Sequence, residues 1–231
     1  MNIPVIEAHA LHKNFGTTRA LAGVDLAIHR GESVAIMGAS GSGKTTLLHV
    51  LAGITSPDAG SVVFRPAEGA PIEVTALGES ASSRLRRERF GFVFQQGLLI
   101  PELTAVENVA LASMINGIRR QDATHHAASW LAALGLAGME DRRIGELSGG
   151  QAQRVAIARA QATGAEVVFA DEPTGALDSQ TSSEVMDALL WSTTGQGRTL
   201  VVVTHDPEVA ARCTRTIAVR DGRIVSSAVA A

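Results

Sequence analysis

The chain has 231 residues, 45% of them hydrophobic, and a formal net charge of −3 with a pI of about 6.2. This length can bury a substantial core within one domain, and the slightly acidic balance disfavours bulk binding to nucleic acid or anionic lipid. The one cysteine, Cys213, excludes an internal disulfide and a cysteine-rich metal site and fits a reducing compartment. Residues 1–10 lack a signal-peptide pattern, and no apolar run approaches the roughly 20 residues that span a bilayer. We therefore expect a soluble chain.

The N-terminal part predicts strands followed by a loop and a helix. Val24, Leu26 and Ile28 alternate with polar or small residues, which indicates a half-buried strand in an antiparallel opening segment. Residues 33–37 have the pattern of a short buried strand. A glycine-rich loop follows, and the residues from Lys44 onward predict a helix that ends near Gly53.

The rest of the chain is typical of a parallel sheet with an insertion. Residues 107–139 are rich in Ala, Leu and Met at helical spacing, which predicts a helical subdomain. Two apolar runs, 167–170 and 200–203, are each followed at once by polar residues, as at the carboxyl ends of parallel strands. Finally, Asp221-Gly222 between two apolar runs predicts a hairpin turn. We expect a single domain in which residues 1–96 and 165–231 form the core and a β-subdomain, and about 97–164 form the helical subdomain.

Residues 38–45 read Gly-Ala-Ser-Gly-Ser-Gly-Lys-Thr and match the phosphate-loop pattern G-x-x-x-x-G-K-[ST] between a strand and a helix. Glycines let successive backbone N–H groups turn toward phosphates, and the helix N-terminus adds partial positive charge. We expect Lys44 to bind the β- and γ-phosphates, the Thr45 hydroxyl to bind Mg²⁺, and Thr46 to reach the α-phosphate. The predicted nucleotide-binding residues of this segment are Gly38, Ala39, Ser40, Gly41, Ser42, Gly43, Lys44, Thr45 and Thr46.

A phosphate loop alone leaves GTPases, kinases, recombinases and transport ATPases open. The guanine-reading Asn-Lys-x-Asp motif is absent, because neither Lys13 nor Lys44, the only lysines, stands in that context. Small GTPases are therefore excluded.

Three further features narrow the class. Residues 147–151 read Leu-Ser-Gly-Gly-Gln ahead of a predicted helix, where Ser148 and Gln151 also fit a capping box. Asp171 and Glu172 follow one apolar strand, and His205 follows the next. Because the carboxyl ends of parallel strands share one edge of the sheet, we expect these side chains to converge on the phosphate loop.

With these motifs in this order, the chain resembles the ATP-binding subunits of ABC transporters from about Ile3 to about Val225. The resemblance implies an α/β fold of the P-loop NTPase type, with a mostly parallel core sheet flanked by helices, an N-terminal antiparallel β-subdomain and an inserted helical subdomain. It also implies that two copies meet head to tail and hold ATP and Mg²⁺ between the phosphate loop of one copy and the signature residues of the other. These residues are Ser148, Gly149, Gly150 and Gln151, with Asp178 at the dimer seam.

The resemblance assigns further roles. It implies that Glu172 is the general base, that His205 contacts the γ-phosphate and positions Glu172, and that Gln95 senses metal and nucleotide. Lys44 joins these three as a catalytic residue, and the implied metal ligands are Thr45, Gln95 and Asp171. Phe15 matches the aromatic residue that stacks on adenine, although tyrosine is commoner there; a core phenylalanine is the alternative. Ala152 departs from the longer polar residue usual after the signature, and we expect little loss of chemistry from it.

A finer resemblance is to the branch that serves permeases of the macrolide-exporter, lipoprotein-releasing and FtsX-like type. It rests on residues 91–95, 103–109 and 171–179. It implies a separate membrane permease as partner, which holds the chain at the cytoplasmic face of the bacterial membrane. It also implies that ATP hydrolysis drives this permease to export or extract an amphipathic cargo such as a peptide, antibiotic, lipoprotein or haem. The alternative is an FtsE-like mechanical or signalling ATPase that regulates a cell-wall enzyme without transport. Candidate permease contacts, or equally subdomain core, are Leu98, Leu99, Pro101 and Leu103.

Overall fold

The computed structural model describes residues 3–229 of the chain. Its strands are β1 (Pro4–Phe15), β2 (Thr18–His29), β3 (Ser33–Met37), β4 (Ala59–Phe64), β5 (Ile72–Glu73), β6 (Phe90–Phe94), β7 (Val167–Asp171), β8 (Thr199–Thr204), β9 (Arg215–Arg220) and β10 (Arg223–Val229). Its α-helices are α1 (Lys44–Leu51), α2 (Glu79–Arg89), α3 (Ala105–Ile115), α4 (Arg120–Ala133), α5 (Gly149–Ala162), α6 (Ser179–Ser192) and α7 (Pro207–Ala211). Within this described part, no helix is both long and apolar enough to cross a membrane.

An antiparallel sheet of four strands opens the fold, in the order β2-β1-β4-β5. In β2 the side chains of Val24, Leu26 and Ile28 are buried, and the residues between them are exposed or half-buried. This alternation places one face of the strand on the core and confirms the predicted antiparallel opening segment.

The second sheet has six strands in the order β10-β9-β3-β8-β7-β6, all parallel except β10. Alternate residues of its strands enter two different hydrophobic clusters. Val34 and Ile36 pack with α1 and the antiparallel sheet, whereas Ala35 packs with the cluster that includes α3 to α6. Burial on both faces explains why these strands read as continuous apolar runs, and the α/β architecture expected from the sequence is confirmed.

The predicted hairpin at Asp221-Gly222 is confirmed. The two residues have φ of 49° and 70°, as a two-residue turn between β9 and β10 requires, and Arg220 pairs with Arg223. The segment 107–139 forms two helices, α3 and α4. Helix α5, which begins at the signature residues, contacts α3 and α4 and also β6 and α6. The subdomain boundaries near residues 97 and 165 stay a prediction.

Candidate functional site

The phosphate loop joins the end of β3 to the start of α1 and closes around a buried lysine. Lys44 is 7% exposed, and its Nζ donates to the carbonyl oxygens of Gly38 and Ala39, each at 2.9 Å. The Gly222 N–H donates to the Ser42 carbonyl at 3.0 Å, so the β9–β10 turn supports the loop from outside. The ammonium group is therefore held in place by the loop itself.

Two glycines of this loop are required by packing as well as by phosphate access. Gly43 has a φ of 103°, and a Cβ atom there would overlap the carbonyl oxygen of Ala20. A Cβ atom on Gly38 would overlap the carbonyl oxygen of Val219. The Ser42 hydroxyl is buried without a hydrogen-bond partner among the described residues, so it is free to bind a ligand in the loop. A phosphate chain fits such a cradle of N–H, hydroxyl and ammonium groups.

Next to the loop, the hydroxyl of Thr45 and the carboxylate of Asp171, two groups that can bind a metal, form a hydrogen bond. The Thr45 hydroxyl donates to Oδ1 of Asp171 at 3.3 Å. Burial raises the pKa of the Asp171 carboxyl, and the Thr45 hydrogen bond opposes that rise. Residues 3–229 contain no cluster of three or more His, Cys, Asp or Glu side chains that would hold a metal alone. Mg²⁺ is typically bound through one or two carboxylates together with substrate phosphates, so this pair suits Mg²⁺ that enters with a nucleotide.

Glu172 and His205 form a pair at the ends of two neighbouring strands. His205 Nδ1 lies 3.0 Å from Glu172 Oε1, and the Glu172 N–H donates to the Val203 carbonyl at 2.9 Å. Glu172 has a φ of 47°, a strained conformation for a residue with a side chain. The carboxylate is thereby aimed and held where the parallel strands end.

One cleft of about 660 Å³ brings most of these groups together. Its walls are Phe15, Thr18, Ala20, Ser40, Gly41, Gly43, Lys44, Thr45, Thr46, Glu172 and His205. The predicted convergence on one edge of the sheet is therefore confirmed. Phe15 is 54% exposed, so the alternative that it is a core residue is wrong.

Gln95 and Asp178 are not among the walls of this cleft. The exposed Gln95 side chain lies close to Gly175, where an added Cβ atom would stand 3.0 Å from Nε2. Asp178 caps α6, and its carboxylate accepts from the Thr181 N–H at 3.0 Å and the Thr181 hydroxyl at 2.7 Å. These hydrogen bonds lower the pKa of Asp178.

The signature residues begin α5 away from the cleft. Gln151 N–H donates to the Ser148 hydroxyl at 3.3 Å and Ser148 N–H donates to Gln151 Oε1 at 2.9 Å, so the predicted capping box is confirmed. Ser148 and Gly149 are exposed, whereas Gly150 packs so closely on Thr181 of α6 that a Cβ atom would overlap it. None of residues 147–151 is among the described residues that line the cleft.

Two residues that sequence reasoning missed connect α5 to the last residue of β6 and to the segment after it. Gln153 is 4% exposed, and its Nε2 donates to the Phe94 carbonyl at 2.9 Å. Arg159 donates to the carbonyls of Gly97 and Leu98, each at 2.7 Å. An arginine within the apolar stretch of α5 was the available signal, because a buried guanidinium must find acceptors.

The candidate permease contacts divide between surface and core. Leu98 is 59% exposed and has a φ of 47°, and Pro101 is exposed, whereas Leu99 packs against the hydrophobic core and Leu103 is half-buried. Beside them lies an apolar groove of about 510 Å³. Its walls include Ile54, Phe90, Phe92, Phe94, Ala112, Ile115 and Arg159.

Comparisons with known proteins show the family of this chain. Residues 21–175 match the family model described as ABC transporter. The chain is 46% identical over 229 residues to the pyoverdine export ATP-binding/permease protein PvdT of Pseudomonas aeruginosa, covering 97% of the chain and 34% of PvdT. It is 45% identical over 214 residues to the macrolide export ATP-binding/permease protein MacB of Campylobacter jejuni, covering 93% of the chain and 32% of MacB. The chain thus spans about a third of the length of these curated relatives.

Among solved structures, the chain superimposes on the dimeric post-hydrolysis state of the ATP-binding cassette MJ0796 bound to ADP and Pi. The TM-score is 0.86 at 36% identity, covering 98% of this chain and 99% of that one. It also superimposes on cbiO1 from Clostridium perfringens, part of the transporter complex cbiONQ, with a TM-score of 0.86 at 28% identity, covering 97% of this chain and 88% of that one. The family model matches well over half of the chain, and the full fold agrees with it. The chain belongs to the ABC transporter family and is an ATP-binding cassette of that family.

Proposed function

We propose that this chain hydrolyses ATP with Mg²⁺ and couples the reaction to a membrane permease. The observation that carries the proposal is the cleft lined by Lys44, Thr45 and the Glu172–His205 pair, in which the Thr45 hydroxyl also bonds Asp171. Hydrolysis of a γ-phosphate needs an oriented water, a metal and charge neutralisation, and these groups can supply or hold all three.

The chain's residues divide the work. Lys44 and the loop N–H groups bind the phosphates, and Ser42 adds a hydroxyl that has no hydrogen-bond partner within residues 3–229. Thr45 and Asp171 would hold Mg²⁺, assisted by Gln95, and bound Mg²⁺ offsets charge on the β- and γ-phosphate oxygens. Glu172 orients the attacking water and accepts its proton, while His205 fixes the Glu172 carboxylate through Oε1.

We propose that a second copy completes the site. Ser148 and Gly149 are exposed at the N-terminus of α5, yet they are not among the walls of the cleft. In a head-to-tail pair, this helix N-terminus and the small residues from Ser148 to Gln151 face the γ-phosphate held by the other copy. Asp178, which caps α6 next to Gly150, then lies at the seam. MJ0796, the cassette with ADP and Pi, is itself dimeric.

The partner proposed for the apolar groove is a cytoplasmic element of a permease. The groove is lined by aromatic side chains of β6 and by α3 and α5, and Arg159 joins it to the segment that follows Gln95. A segment that fills the groove would contact Arg159, which donates to the carbonyls of Gly97 and Leu98, two and three residues after Gln95. This partner would place the chain at the cytoplasmic face of the cell membrane.

PvdT and MacB are named as export ATP-binding/permease proteins, which favours export of an amphipathic cargo over the mechanical alternative. The test is co-purification with the neighbouring membrane protein, followed by phosphate release measured with candidate cargo and with ATP or GTP, with and without Mg²⁺. We expect Mg²⁺-dependent ATP turnover that cargo stimulates. Turnover without any cargo response, together with activation of a cell-wall enzyme, would favour the mechanical function instead.

A further inference from the structure

The exposed ring of Phe15 contacts Lys13, which forms a salt bridge with Asp58. Neither charged residue has a role in the proposed ATP hydrolysis. Lys13 Nζ lies 5.5 Å from the centroid of the Phe15 ring and 3.0 Å from Oδ1 of Asp58. The other oxygen of Asp58 accepts from the backbone N–H of Asn14 at 2.6 Å and from its side-chain amide at 3.0 Å. One carboxylate therefore holds both residues that precede Phe15, at the end of β1.

Phe15 needs such support because it has no polar atom of its own. Its side chain is 54% exposed at the start of the β1–β2 turn, where a free ring would sample several rotamers. Ordering a mobile side chain on binding costs affinity, so a ring held in place before binding stacks better. A cation over one face of the ring is attracted to its π-system and limits its rotation. The Lys13 side chain is only 17% exposed, so it is itself fixed.

We propose that Lys13 and Asp58 are positioning residues for base recognition: together they hold the Phe15 ring so that its other face stacks on the adenine of the nucleotide. The proposal rests on the proposed binding of ATP and on the adenine stacking that the family resemblance implies for Phe15. Asp58 also offsets the charge of Lys13, so the pair acts on the base and not on the phosphates. The hydrogen bond from Lys13 lowers the pKa of Asp58.

The experiment compares a ligand that has a base with one that lacks it. Calorimetry with Mg²⁺ gives the dissociation constants of ADP and of inorganic pyrophosphate for the full chain and for Phe15→Ala, Lys13→Met, Asp58→Asn and Lys13→Arg. Stacking on an aromatic residue contributes enough that Phe15→Ala should weaken ADP binding about tenfold. Lys13→Met and Asp58→Asn should each weaken it about threefold, while the pyrophosphate constant stays within about twofold. Lys13→Arg keeps a cation at this position and should bind ADP about as tightly as the parent chain does.

Asp25→Asn is the matched control. Asp25 Oδ1 also accepts from a backbone N–H of β1, that of Ala10 at 2.9 Å, but within residues 3–229 no hydrogen bond or salt bridge joins Asp25 to Lys13. This variant should leave both constants unchanged, and thermal melting checks that every variant folds.

The outcomes separate the two proposals. If the parent chain does not bind ADP, the proposed ATPase function falls. If Phe15→Ala weakens ADP binding but Lys13→Met and Asp58→Asn do not, only the positioning role is overturned. Equal losses for ADP and pyrophosphate in these two variants overturn it as well, because they would show a general effect on the phosphate site. If Phe15→Ala changes nothing, there is no stacking to position and the proposal is wrong, while ATP hydrolysis stands.

Discussion

His205 Nδ1 lies 3.0 Å from Glu172 Oε1, and the two residues follow adjacent parallel strands. In that register Asp171 of β7 pairs with Val203 of β8, so the side chain just beyond each strand is brought to the same edge. The pair thus follows from sheet register, and Glu172 has a positive φ of 47° at this point. Both residues line the cleft that holds Lys44 and Thr45.

Replacement of the proposed general base should stop turnover but not binding. Glu172→Gln keeps the size of the side chain and its contact with His205, but an amide cannot accept the proton of water. We expect the rate of phosphate release to fall about 10²- to 10⁴-fold, with ATP now trapping a dimer on size-exclusion chromatography. Glu208→Gln is the control, because Glu208 lies in the first turn of α7 and is not among the walls of the cleft that holds Lys44. Turnover of Glu172→Gln at the parent rate would show that another group is the base.

Substitutions at Ser148 test the shared site and separate it from helix capping. Ser148→Arg should block hydrolysis in the dimer without weakening ATP binding to the monomer. Ser148→Asp keeps a good N-cap but places a carboxylate toward the γ-phosphate, so it should also be inactive. Thr104→Ala is the control, because it removes the equivalent capping box of α3 and should cost about 1 kcal/mol of stability with activity retained. Reduced ATP affinity of the Ser148→Arg monomer would argue against a site completed by a second copy.

Paired glycine substitutions test the packing of the phosphate loop. Gly43 and Gly31 both have positive φ, but a Cβ atom would overlap the Ala20 carbonyl at Gly43 and meet nothing within 4 Å at Gly31. Gly31→Ala should therefore cost only about 1 kcal/mol of unfolding free energy, from backbone strain. Gly43→Ala should cost clearly more and abolish ATP binding. Denaturant unfolding and calorimetry measure both effects, and equal stability of the two variants would contradict the packing argument.

The raised pKa of Asp171 predicts a pH-dependent cost of stability. Burial makes the folded state bind this proton more tightly than the unfolded state, so stability falls as pH rises between the ordinary and the raised pKa of the carboxyl. Asp171→Asn removes the charge at nearly constant shape. We expect it to raise the melting temperature of the nucleotide-free protein above that window, by about 2–4 °C for each kcal/mol regained, and not below it.

Melting curves of parent and Asp171→Asn over a pH series check this sign. The same variant should lose Mg²⁺-dependent ATP turnover, because Asp171 and Thr45 are the proposed metal ligands. A variant that melts lower than the parent at neutral pH would show that the carboxylate stabilises the fold.

The sequence by itself determined the parts of this protein that depend on neighbouring residues. The phosphate loop, the capping box at Ser148 and the Asp221-Gly222 turn are each set by a few consecutive side chains and their backbone preferences, so a motif predicts them. The strand-end positions of Asp171, Glu172 and His205 were also predictable, because apolar runs mark buried parallel strands and such strands end at one edge.

Only the tertiary structure decided the contacts between distant segments. Lys13 and Asp58 are 45 positions apart, and Arg159 lies 61 positions from Leu98. The residues next to Leu98 and Leu99 in the sequence do not show that Leu98 is exposed and Leu99 packed. Nor do the neighbours of Phe15 show that its ring is exposed at the cleft and not buried in the core. Such contacts depend on how whole helices and strands dock, and that docking is settled by the burial of many side chains at once, which no short motif records.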